Sequence, residues 1–198
     1  VVFGQRTQLW WDLALQETYS VLKEIYDISD SEFHKRMAFL NEVLDLNTFI
    51  KDPVRTLSLG QRMRADIAAS LLHNPKVLFL DEPTIGLDVA VKDNIRKAIK
   101  QINQEEQTTI LLTTHDLNDI ELICDRIFMI DRGQEIFDGS VSQLKQRFGK
   151  MHEVRFEMTQ QLEVERLDYH QHFSDLEVIK DGLQVTIQFD ATKVAIPD

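Results

Sequence analysis

The apolar positions of the chain follow two rhythms. From Leu15 to Leu71 they recur at three- and four-residue intervals, the spacing of a single helix face. Leu15, Tyr19, Leu22 and Tyr26 predict a first helix. Phe33, Met37, Leu40 and Leu44 predict a second, opened by the capping box Ser29-Asp30-Ser31-Glu32. Pro53 interrupts, and a third helix is expected from about Ser58, an N-cap residue type, to His73, with Asn74-Pro75 as its stop. Beyond it, Val77, Leu78, Phe79 and Leu80 form an unbroken apolar run, which predicts a strand over 76–81 buried on both faces. A helix over 87–104, a strand over 108–113, a helix over 117–124 and strands over 126–130 and 135–137 are expected to follow. That alternation argues for an α/β fold with a mainly parallel sheet and helices on both faces.

Past a short helix over 142–148, closed by Gly149, the period changes again. Val154, Phe156 and Met158 alternate, as do Leu183, Val185, Ile187 and Phe189 after an Asp181-Gly182 hairpin signal. These predict a separate small antiparallel or α+β module over 149–198.

Charge and composition narrow the functional classes. With 33 acidic against 22 basic residues the net charge is −11, a poor electrostatic footprint for nucleic acid, so none is expected as a partner. No apolar run approaches the ~18 residues that would span a bilayer, so a membrane link would have to run through a partner. The single cysteine, Cys124, permits no internal disulfide and fits a reducing compartment. The chain opens on Val-Val-Phe-Gly and ends on Ile-Pro-Asp, and both ends read as cut.

The candidate chemistry gathers where apolar strands end. Asp81-Glu82 terminates the 77–80 run, and the carboxyl ends of strands are where open α/β sheets bind ligands. One such acid can hold a metal ion through water while its neighbour orients or deprotonates an attacking water. His115 follows the apolar Ile110–Leu112 stretch and is expected at the same edge. Ser58-Leu59-Gly60-Gln61 opens a helix, whose N-terminus presents free backbone N–H groups to an anion. Trp10 and Trp11 lie in a polar loop and read either as core anchors or as an apolar patch for a partner helix.

In chain order, Gln5, LSLGQ at 57–61, LFLDEP at 78–83, GLD at 86–88 and TTHD at 113–116 resemble the nucleotide-binding domain of an ATP-binding-cassette (ABC) ATPase, most closely the drug-exporter or polysaccharide-exporter type. The resemblance covers residues 1–148 and implies a partial P-loop NTPase fold. Its parts would be a helical subdomain over about 12–74, a core over about 75–148 and a small C-terminal α+β module. It implies ATP and Mg²⁺ as ligands, with Asp81 holding the metal, Glu82 and His115 catalytic, and Gln5 touching both metal and nucleotide. Gln8 is the rival to Gln5. By the same resemblance Ser58, Gly60 and Gln61 press on the phosphate bound by a second nucleotide-binding domain, and Asp88 links the two copies. Leu59 stands where the family more often has glycine. Arg62 and Arg64 read as structural rather than phosphate contacts. The implied protein is an ATP-hydrolysing subunit on the cytoplasmic face of the cell membrane, held there by an integral membrane permease. A soluble non-transport ABC ATPase and a catalytically dead fragment are the alternatives.

The phosphate-cradling GxxxxGK[ST] loop (Walker A) does not occur in the 198 residues. In the family it precedes the loop glutamine, so the expectation is a chain truncated before Val1 and inactive alone. The 149–198 module is expected to serve as a dimer contact or a structural cap.

Overall fold

The computed structural model describes residues 1–4, 6–148, 151–157, 159, 176–181 and 183–190. The chain divides into two units, Val1–Cys124 and Asp125–Asp198.

The first unit begins with strand β1 (Val2–Phe3) and continues into helices α1 (Leu15–Ile25), α2 (Asp30–Leu44) and α3 (Leu59–Leu71). Their N-termini are set by local chemistry. Ser29 Oγ accepts the Glu32 N–H ahead of α2, and Asp45 ends that helix in a left-handed conformation (φ 49°). Ser58 and Gln61 close a reciprocal capping box on α3, the Ser58 hydroxyl accepting from Gln61 N at 3.2 Å and the Gln61 amide oxygen accepting from Ser58 N at 2.8 Å. The apolar faces meet in one core that includes Leu15, Tyr19, Leu40, Leu44 and Ile67. Tyr19 is fully buried, its hydroxyl donating to the Ala65 carbonyl at 3.0 Å, so α1 is tied to α3 by packing and by a satisfied polar tip.

The sheet follows: β2 (Val77–Asp81) lies between β1 and β3 (Thr109–Thr113), all parallel, with Val2 opposite Leu80 and Leu80 opposite Leu112. Helix α4 (Val89–Glu106) joins β2 to β3, and α5 (Leu117–Ile123) follows β3. Leu78 and Leu80 are buried in the same core as Ile95, Ile99 and Ile102 of α4. The opposite face differs from the sequence expectation. Val77, Phe79 and Leu111 are 44%, 48% and 52% exposed, so β2 is buried on one face only. An apolar run cannot by itself say which of its two faces meets another layer; that depends on segments distant in sequence.

In the second unit, β4 (Arg126–Asp131) and β5 (Gln134–Ser140) form an antiparallel hairpin. Arg132 and Gly133 take positive φ (49° and 75°), the turn that matches strand twist in a two-residue hairpin. Arg126 grips Asp138 with two hydrogen bonds of 2.7 and 2.6 Å across the pair. Helix α6 (Val141–Phe148) precedes a three-stranded antiparallel sheet of β6 (Met151–Glu157), β7 (Leu176–Asp181) and β8 (Gln184–Asp190) in the order β6-β8-β7. The expected alternation of Val154 and Phe156 against Val185 and Ile187 is present as cross-strand pairs. Gly149, Met158 and Gly182 lie outside the described residues.

Candidate functional site

The carboxyl ends of β2 and β3 bring Asp81, Glu82 and His115 together. Parallel pairing sets Asp81 opposite Thr113, whose hydroxyl donates to Asp81 Oδ1 at 2.6 Å. Directly after the strands, Glu82 Oε1 and His115 Nδ1 stand 2.8 Å apart. The hydrogen bond to Glu82, and then its charge, push the His115 imidazole above its ordinary value of 6.5. A proton on Nδ1 is therefore favoured and donates to the carboxylate.

Glu82 has φ of +51°. Asp27, Asp45, Asn74, Gln107 and Arg132 share that sign, but they sit past helix ends or in the hairpin turn, where left-handed residues are routine. Glu82 leaves a strand instead, at a cost of roughly 1–2 kcal/mol for a side-chain-bearing residue. Its backbone is clamped from both sides, N–H to the Thr113 carbonyl at 3.0 Å and carbonyl from Ile85 N at 3.2 Å. Strain held this way is a mark of functional positions. Gly4 completes the arrangement. Its N–H donates to the Asp81 carbonyl at 2.7 Å, and a Cβ at that position would fall 2.2 Å from the Glu82 carbonyl oxygen. Only glycine lets the loop after β1 approach so closely.

A cavity of about 410 Å³ opens here, lined by Phe3, Gly4, Arg6, Asp81, Glu82 and Ile85. Arg6 is a cation beside the two acids that sequence reasoning passed over, although it adjoins Gln5 in the sequence. Gln5 itself lies outside the described residues. Gln8, its rival, is turned elsewhere: its amide donates to the Asp66 carbonyl at 3.2 Å, and its N–H to Asp66 Oδ1 at 3.0 Å.

The residues suit a hydrated Mg²⁺. Mg²⁺ is commonly held by one or two carboxylates, with water and substrate phosphate filling the other positions. Asp81 is exposed, and the single neutral hydroxyl on Oδ1 leaves it acceptor capacity. Among the described residues no group of three or more His, Cys, Asp or Glu side chains forms an all-protein cage.

Ser58, Gly60, Gln61 and Asp88 do not line this cavity. Ser58 and Gln61 are engaged in the α3 cap. Gly60 is buried, and a Cβ there would meet Val91 Cγ1 of α4 at 2.5 Å, so its lack of a side chain serves helix packing. Asp88 is exposed at the N-terminus of α4 and makes no side-chain cap bond. Trp11 has the Arg62 guanidinium 4.7 Å over its ring, and both Trp10 and Trp11 remain exposed (41% and 48%), so they are not core anchors. Arg64 donates to the Leu44 carbonyl at 3.0 Å and is structural, as expected.

The ABC transporter family profile matches residues 1–85. The linearmycin resistance ATP-binding protein LnrL of Bacillus subtilis (strain 168) is 34% identical over 148 residues, 75% of this chain and 47% of that protein. Among solved structures, cbiO1 from Clostridium perfringens, part of the ABC transporter complex cbiONQ, superposes with a TM-score of 0.63 at 31% identity, covering 72% of this chain and 55% of that one. The ATP-binding cassette MJ0796, a dimer in a post-hydrolysis state bound to ADP and Pi, gives a TM-score of 0.59 at 27% identity, covering 71% and 63%. The chain thus spans about half the length of LnrL. No helix among the described residues is long and apolar enough to cross a membrane. In fold, in motif order and in these matches, the chain belongs to the ABC transporter ATP-binding domains.

Proposed function

We propose that the chain is part of the ATP-hydrolysing subunit of an ABC-type membrane transporter of the exporter kind. Residues 1–148 would contribute to the nucleotide-binding domain, and 149–198 would form an accessory module. The observation that carries the reading is the Glu82–His115 contact of 2.8 Å beside the Asp81 carboxylate, at the ends of adjacent parallel strands. In this reading Glu82 orients the attacking water or takes its proton. His115 is held by Glu82 and presents its ring toward the transferred phosphoryl group. Arg6 adds a positive charge to the same cavity. Asp81, with Gln5, would hold a hydrated Mg²⁺, which supplies charge neutralisation to the phosphate oxygens.

Ser58, Gly60, Gln61 and Asp88 serve a second nucleotide-binding domain in this proposal; their place outside the cavity supports that division. MgATP would bring the two domains together, and hydrolysis would release them, passing the change to an integral membrane permease that holds the subunit at the cytoplasmic face. The half-open sheet face at Val77, Phe79 and Leu111 would be covered in the longer protein by the segment that carries the phosphate-cradling loop.

The test is Glu82→Gln in the longer ATPase that contains these residues. Turnover should fall by at least ~100-fold, the usual span of a general base, while MgATP affinity is retained. Hydrolysis near the wild-type rate would remove Glu82 from its role.

A further inference from the structure

Asp119, in the first turn of α5, is fully buried and fully paired. Its Oδ2 accepts from the Thr84 hydroxyl at 2.6 Å and from the Thr114 hydroxyl at 2.8 Å, while Oδ1 accepts from Arg96 Nε at 2.6 Å. These donors come from three segments: the loop after Glu82, helix α4, and the turn that carries His115. Arg96 also donates through Nη2 to Asp116 Oδ2 at 3.1 Å, where Lys92 Nζ adds a bond of 2.9 Å. Thr114 Oγ1 in turn accepts the Asp116 N–H at 3.0 Å. A carboxylate removed from water is costly unless its lone pairs are used, and here each oxygen has a donor.

The pair at the site has no such enclosure. The His115 side chain is 76% exposed and that of Glu82 29%, so surrounding packing does not hold their contact. Their separation is set by the backbones on which they stand, and those are the segments Asp119 ties together. Thr84 lies two residues beyond Glu82, and Thr114 immediately precedes His115. A role limited to anchoring α5 would need no bond to the Glu82 loop.

We infer that Asp119 is a positioning residue: through the Thr84 and Thr114 hydroxyls, with Arg96 fixing its carboxylate, it holds Glu82 and His115 in register for the reaction. The inference rests on the hydrolytic reading given above.

Two substitutions delete one hydroxyl each without changing side-chain shape, Thr84→Val and Thr114→Val, and Thr84→Ser keeps the bond. They would be made in the longer ATPase beside Glu82→Gln, with urea midpoints confirming which variants are folded. Each folded valine variant should lose about tenfold or more in kcat while KM for MgATP stays within about twofold, because misplacement acts on the reacting geometry rather than on binding. Thr84→Ser should restore kcat to within about twofold of wild type. The double variant should cost less than the product of the singles, since both hydroxyls serve one oxygen. If Glu82→Gln is inactive and a folded valine variant keeps its kcat, or loses only affinity, Asp119 is structural and the inference is wrong. If Glu82→Gln itself turns over normally, the hydrolytic reading fails and the inference fails with it.

Discussion

Asp66 offers a test of the fold that is independent of catalysis. It sits within α3 at 3% exposure, receives the Gln8 N–H at 3.0 Å, and lies near Thr7 and Arg62. Burial dominates over those hydrogen bonds and the Arg62 charge, and raises its pKa from 3.8 to about 6. A carboxyl whose pKa rises on folding binds its proton more tightly in the native state. Its contribution to stability is therefore fullest below 3.8, declines as pH climbs toward 6, and is flat above. One pKa unit corresponds to about 1.4 kcal/mol, so the whole shift is worth about 3 kcal/mol, of which about 2 kcal/mol falls between about pH 4.5 and about pH 7.5. Asp66→Asn removes the titration while its amide oxygen can still accept from Gln8. Urea unfolding of the wild type and the variant at both pH values, with equal m-values, gives the stability difference at each. The variant should gain about 2 kcal/mol on wild type as pH rises between those points. A difference unchanged to within about 0.5 kcal/mol, or one that moves the other way, would refute a raised Asp66.

Gly4→Ala should lower stability by about 2–4 kcal/mol, combining overpacking against the Glu82 carbonyl with loss of the Gly4–Asp81 hydrogen bond. A urea midpoint within error of wild type would contradict that close approach. The 198-residue chain alone should show no heat of MgATP binding at micromolar concentrations. A phosphate-cradling loop that supplies about three charge-assisted hydrogen bonds is worth roughly 5–9 kcal/mol, and without it a micromolar constant moves beyond millimolar. Micromolar binding by calorimetry would show that the residues present suffice for the nucleotide.

The sequence reading succeeded where local chemistry decides the outcome. The helix over α2 follows from Ser29 and Glu32 at its start and from apolar residues at helical spacing. The acid pair at the end of β2 is visible because an apolar run stops abruptly at Asp81. Where the reading fell short, the cause is a contact between distant segments. Asp66 and Asp119 stand in helices as polar residues of no special spacing, and only the folding back of the Thr7–Gln8 and Thr84 segments buries them. Phe79 reads as core in any apolar run, yet is 48% exposed, because burial of its face depends on another layer rather than on its neighbours in sequence. Arg6 was overlooked because a single arginine in a loop has no pattern at all.

The α3 N-terminus combines two demands that sequence alone could not separate. The motif Ser58-Leu59-Gly60-Gln61 reads equally as a cap and as an anion site, since both use the unpaired N–H groups of a first helical turn. In the structure the cap occupies the Gln61 N–H, and the Gln61 side chain is bent back to Ser58 N. The donors left to a ligand are those of Leu59 and Gly60, the two residues between. Gly60 cannot be enlarged because Val91 occupies the space its Cβ would need, and Leu59 lies against Gly86, 3.4 Å from the position a Cβ would take there. Both contacts run to the loop and helix that follow Glu82. Packing against Val91 is therefore enough by itself to require a small residue at Gly60. The same contacts join the start of α3 to the loop and helix that follow Glu82, the segment whose Thr84 hydroxyl donates to Asp119.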